Sequence, residues 1–124
     1  MSGIKYIFDT NALISFFQGN PGLQHFIFEP IGISIISVLK FLSFPNINAA
    51  AKELLFDFLK EVEVFELKKD NEALISIITA LRIESKIKLP NAIIAGTAMY
   101  NNAILITTDK GFSKIPLLQT AGFN

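Results

Sequence analysis

The chain has 124 residues, which suits a single compact domain, 1–124, with a core of its own. Eleven Lys and Arg balance eleven Asp and Glu, so no overall field draws it to nucleic acid or an anionic membrane, and a nucleic-acid role must rest on a local patch. There is no cysteine, which excludes disulfides, zinc–thiolate centres and thiol nucleophiles; no leader-like segment opens the sequence, and the most apolar stretch, 31–44, is too short to span a bilayer and contains Lys40.

The expectation is a soluble, cytoplasmic protein with no membrane partner. In chain order, Lys5 to Phe8 read as a buried strand and Asn11 to Gln18 as a helix, which Asn20-Pro21-Gly22 ends with a turn. Gly32 to Ile36 is too short a run for periodicity to choose between strand and helix start. Ser34 or Ser37 can cap a helix continuing through Leu42, stopped at Phe44-Pro45 because the residue before Pro is biased away from helical angles. Ala49 to Lys60 is a helix of good formers, with Leu54, Leu55, Phe58 and Leu59 expected on one face. Val62, Val64 and Leu67 alternate with glutamates, which predicts a strand with one polar side. Asp70-Asn71-Glu72 is an acidic helix start, and Leu74, Ile77, Ile78 and Leu81 follow at helical spacing. Pro90 suits the first turn of another helix, running to about Tyr100, and Gly96 inside it marks close packing. Ala103 to Thr107 is the last clear strand.

Alternating strands and helices predict a parallel α/β sheet covered on both faces. In such sheets the functional crevice lies beyond the carboxyl ends of the strands. Two apolar runs, IKYIF and AILITT, each end in a carboxylate, Asp9 and Asp109. If the two strands are neighbours, both acids enter one crevice, and their repulsion calls for a cation or a proton. A hard divalent ion such as Mg2+ or Mn2+ serves that need. The plain alternative is that each Asp caps the helix or turn that follows it.

Three segments carry a resemblance to a known family: IFDTNALI (7–14), ISIISVLKFLSFP (33–45) and KLPNAIIAGTAMYNNAILITTDKGF (88–112). Together with the helices between them, they make the chain resemble a PIN domain, most of all the single-domain VapC-type toxins of toxin–antitoxin pairs. The resemblance implies a three-layer α/β/α fold with a small central parallel sheet. It also implies a metal-dependent ribonuclease, in which acidic residues hold one or two Mg2+ or Mn2+ ions that activate water against a phosphodiester. Expected partners are RNA, a small antitoxin protein and a second copy of the chain in a homodimer.

Residue by residue the match is incomplete. Asp9 and Asp109 stand at acidic positions of the family and are the candidate metal ligands. Lys40 stands where the family has Glu, and Asn91 where an acid normally follows Leu-Pro. A further acidic position is Gly111 here. Asp9, Asp109, Asn91 and Lys40 form the candidate catalytic set. An ammonium at position 40 attracts the two carboxylates and repels a divalent ion, so Lys40 is expected to stand in for the metal, which leaves Mg2+ or Mn2+ to an active enzyme and no ion to an inactive one. The other reading places Lys40 in solvent, with the helix register shifted.

Arg82, Lys88 and Lys110, with Thr10 and Asn11, are the candidate RNA contacts. Lys86 and Lys114 are better read as solvated. Ser37 and Lys40 spell an S-x-x-K motif, but its partner motifs are absent. His25 is the single histidine, expected at the surface. Twelve Phe, several clustered at positions 16, 17, 26 and 28, are expected to be core with some left for a partner-binding patch.

Overall fold

The computed structural model describes residues 3–124. Its sheet has five short strands, β1 (Tyr6–Phe8), β2 (Ile31–Ser34), β3 (Glu63–Phe65), β4 (Ile104–Ile106) and β5 (Thr120–Ala121). All pair in parallel, in the order β3-β2-β1-β4-β5. The chain first winds from β1 out to β3, then returns to place β4 on the other side of β1. The reversal lies between β1 and β4, and this is where an open α/β sheet leaves a crevice above its carboxyl edge.

Alternation along the strands sorts the core into two halves. Ile7 and its register partner Leu105 face one layer. There they meet Leu74, Ile78 and Leu81 of α5 (Glu72–Glu84) and Ile94 of α6 (Leu89–Tyr100). Phe8, Ile33 and Ile106 face the other layer. That layer holds Leu13 of α1 (Thr10–Phe17), Leu23 of the short α2 (Pro21–Gln24), Val38 and Phe41 of α3 (Ile35–Leu42), and Leu55 of α4 (Ala49–Leu59). Phe16, Phe17, Phe41 and Phe58 pack there ring against ring, with centroids 5.2 to 5.6 Å apart, the separation aromatic pairs favour. This accounts for much of the phenylalanine richness.

Two glycines permit close approaches. A Cβ on Gly96 would lie 2.8 Å from Cγ1 of Ile78, so α6 seats against α5 through the missing side chain. On β2, the ring of Phe65 occupies the space that a side chain at Gly32 would need.

Several elements depart from the sequence expectations. Asn20-Pro21-Gly22 does not simply end α1. The Asn20 side chain accepts from the Gly22 amide at 2.8 Å and caps α2, with Pro21 in the first turn. Segment 32–36 divides, with β2 ending at Ser34, whose hydroxyl caps α3 by accepting from the Ile36 amide at 3.1 Å. Leu54 is exposed while its neighbour Leu55 is fully buried, because successive helical residues lie about 100° apart and one inward stripe does not hold both. Leu67 is also exposed and lies beyond β3. Strand β5 has two residues and no pattern to betray it. His25 is exposed, in a 3-10 turn over His25–Phe28. No helix among the described residues is long and apolar enough to cross a membrane.

Candidate active-site crevice

Asp9 leaves the end of β1 and Asp109 follows β4 by three residues. The strands are neighbours in register, Phe8 beside Ile106, and the Asp9 amide donates to the Ile106 carbonyl at 3.2 Å. Both carboxylates are thereby brought to one small cavity of about 80 Å³, lined by Asp9, Thr10, Asn11, Lys40, Phe44, Asn91 and Asp109. Six of the nine residues proposed from sequence line it. Arg82, Lys88 and Lys110 do not. A guanidinium N–H of Arg82 instead donates to the Ile87 carbonyl at 2.9 Å, which ties down the α5–α6 connection. Lys88 is the exposed residue before α6, and exposed Lys110 opens the 3-10 turn after Asp109.

Asp9 is only 3% exposed. One carboxylate oxygen accepts from the Ala12 amide at 2.8 Å and caps α1; the other accepts from the Thr107 hydroxyl. The cap and the crevice are therefore the same residue, and the two readings open in the sequence are both occupied. Burial is the chief influence on its proton. It disfavours the charged form and holds the carboxyl above its ordinary value, opposed by the Thr107 and Ala12 hydrogen bonds, while Asp109 raises and Lys40 lowers it slightly.

Asp109 is exposed, and its carboxylate accepts from the Gly111 amide at 2.8 Å. Its own amide donates to Thr107 Oγ1 at 3.0 Å. Thr107 thus links the two acids, accepting from one residue and donating to the other. Sequence reasoning left this residue out of the site. The signal was its place two residues before Asp109 in Thr-x-Asp, at the end of an apolar strand. Ser37 was overlooked too: fully buried on α3, its Oγ accepts from the Thr10 hydroxyl at 3.4 Å.

Lys40 is exposed on α3 and forms part of the crevice wall. The expected ion pairing with Asp9 and Asp109 does not occur. The ion pairs among the described residues are Lys5–Glu29 and Lys60–Asp57, each at 3.4 Å. Asp9 is buried behind its own two donors, exposed Asp109 turns its carboxylate to the Gly111 amide, and the exposed ammonium keeps its hydration at the rim. Asn91 is half-buried in the first turn of α6 and brings a neutral amide to the same cavity. Among the described residues, no three His, Cys, Asp or Glu side chains gather closely enough to hold a metal ion.

This architecture is shared with solved structures. A chain in a toxin–antitoxin complex from Klebsiella pneumoniae is 28% identical, over 90% of this chain and 93% of that one, with a TM-score of 0.75. A chain of the Rickettsia felis VapBC2 structure bound to a promoter DNA fragment shares the fold at a TM-score of 0.82 and 20% identity, covering 98% and 100% of the two chains. VapBC-1 from nontypeable Haemophilus influenzae does so at 0.79 and 22% identity, covering 96% and 98%. No curated protein matches the sequence significantly. The model of the PIN domain family matches residues 6–118, nearly the whole chain. With the parallel sheet, the β1–β4 crevice and the two strand-end carboxylates, that match establishes that the chain belongs to the PIN domain family.

Proposed function

We propose that this chain is a VapC-like toxin of a toxin–antitoxin pair, a PIN domain in which metal-dependent RNA cleavage is impaired. The observation that carries the reading is Lys40, which lines the same small cavity as Asp9 and Asp109. Family chemistry needs a hard cation among several carboxylates, placed to activate water against a phosphodiester. Here two carboxylates share the cavity with an ammonium and a neutral amide. An exposed ammonium at the rim of the cavity repels an incoming divalent ion, with its field screened by the water around it. This donor set does not fit a resident Mg2+ or Mn2+ ion, and no step of a reaction is derived through one.

The antitoxin partner is supported by the toxin–antitoxin complex from Klebsiella pneumoniae, which this chain resembles at 28% identity. Exposed Phe28 and Leu117, 86% and 81% accessible, supply apolar surface for an antitoxin or a second copy of the chain. RNA as ligand, a homodimer and a cytoplasmic setting complete the reading. A second reading rests on the same Lys40: a catalytically inactive PIN domain kept for binding RNA, an antitoxin or itself.

The test is calorimetric titration of Mn2+ into the unmodified protein and into the Lys40→Glu/Asn91→Asp double variant. Binding by the variant alone is the expected result. Tight binding by the unmodified protein would show that Asp9 and Asp109 suffice as ligands, and the impaired-site reading would fall. Cleavage of RNA by the unmodified protein that Asp9→Asn abolishes separates weak catalysis from none.

A further inference from the structure

An open apolar groove adjoins the crevice, lined by Ile36, Leu39, Lys40, Ser43, Phe44 and Pro90. Lys40 and Phe44 belong to both, so they form the wall between groove and crevice. The groove is shallow and open to solvent, with about 460 Å³ of space against about 80 Å³ for the crevice, room for one flat base on its face but not for a buried ligand. Phe44 is 49% exposed, just past the end of α3. Phe8, Phe16, Phe17, Phe26, Phe41 and Phe58 all have aromatic ring partners. Phe44 has none among the described residues, as is also true of Phe28, Phe56, Phe65, Phe112 and Phe123; what sets it apart is its place beside Lys40 on the crevice wall, with Leu39, 53% exposed, lining the same groove.

We propose that Phe44 and Lys40 form a metal-independent docking site for one unpaired nucleotide of a single-stranded nucleic acid, its base against the Phe44 ring and its phosphate on the Lys40 ammonium. The charge arrangement selects this occupant. Lys40 is the one ionisable residue of the groove and enters neither ion pair of the described residues. The carboxylates of Asp9 and Asp109 line the crevice and not the groove, and neither pairs with Lys40. The groove thus offers an apolar aromatic face and a cation at its edge. A nucleotide matches both, because every base has a π-face and each carries an adjacent phosphate. A basic peptide would meet the ammonium.

The proposal rests on the reading of the crevice as metal-free, yet its test is independent of metal titration because it is run in EDTA. Anisotropy of a labelled single-stranded RNA octanucleotide would be measured with the full chain. Binding without metal is expected. Phe44→Ala should weaken it by about 5- to 150-fold, the loss typical of one stacked base, and Phe44→Trp should retain it. Lys40→Gln should lower the slope of log affinity against log salt by about 0.7, one phosphate contact on a single strand. Equal binding of the DNA counterpart would support the nucleotide chemistry that the two strands share. No binding in EDTA, equal affinity for a strand with abasic sites, or an unchanged Phe44→Ala variant would overturn the proposal. So would a Phe44→Ala variant that alters sedimentation without altering RNA affinity, since the groove would then belong to a second copy of the chain.

Discussion

Asp9 carries two duties with opposite demands. As a helix cap and a partner of Thr107 it gains from its charge, while at 3% exposure it loses hydration. Burial prevails, and the folded carboxyl sits above its ordinary value of 3.8. A raised carboxylate contributes stability that is complete below about 3.8 and lost as pH rises through the folded value. Asparagine keeps the capping oxygen without the charge. Asp9→Asn should therefore melt above the unmodified protein at pH 7, by a margin that shrinks as the pH falls toward 3.8. A variant less stable at pH 7 would mean that the Thr107 and Ala12 bonds to the charged form outweigh its desolvation. At this scale the carboxylates were legible because each ends an apolar run. Thr107 was not, since a hydroxyl has no distinctive pattern and its role depends on the register of β1 against β4. The state of Lys40 was illegible for a related reason: ion pairing is decided by tenths of a nanometre that no spacing rule supplies.

The helices follow from periodicity where they have one apolar stripe. In α5, Leu74, Ile78 and Leu81 are buried as their spacing predicts. Helix α6 is different, with a continuous buried run from Ala92 to Ala98. Enclosure on all sides is what small residues allow, and Gly96 is the tightest point. Alanine at 96 would add about 1 kcal/mol of helix preference but force Cβ to within 2.8 Å of Ile78 Cγ1. Overpacking of this kind costs about 1–3 kcal/mol, and Cγ1 of Ile is too near the backbone to swing aside. Gly96→Ala should lower the urea midpoint, and adding Ile78→Ala should remove the further effect of the alanine at 96. An unchanged midpoint for Gly96→Ala alone would show that α5 and α6 can separate slightly without loss. The strands were harder to bound. Three of the five have three residues, and β5 has two, shorter than any period-two test can resolve.

The molecule is built on one sheet with a hydrophobic core on each face, and a side chain deleted from either face loosens the sheet common to both. Tyr6 packs against the core beneath α1 and α4, while Tyr100 ends α6 in the opposite layer. With no tryptophan in the chain, Tyr6 reports from within its layer and exposed Tyr100 reports on the carboxyl end of α6. Tyr6→Phe and Tyr100→Phe variants, each retaining one reporter, should show the same denaturant midpoint by tyrosine emission as by circular dichroism of the same variant. Separate midpoints would mean that the layers unfold independently, against the cooperative behaviour expected of a chain this size.

The sequence by itself determined the α/β alternation, most helix positions and the placement of two carboxylates at strand ends, because these depend on residue patterns only a few positions long. It also supplied the ammonium of Lys40 and the amide of Asn91, which the structure brings to the same cavity as the two carboxylates. What only the tertiary structure decided is adjacency. Pairing of β4 with β1, 98 residues apart in register, is set by which surfaces bury together rather than by local preference. From that pairing follow the shared crevice, the Thr107 link between the acids and the groove wall made by Lys40 and Phe44.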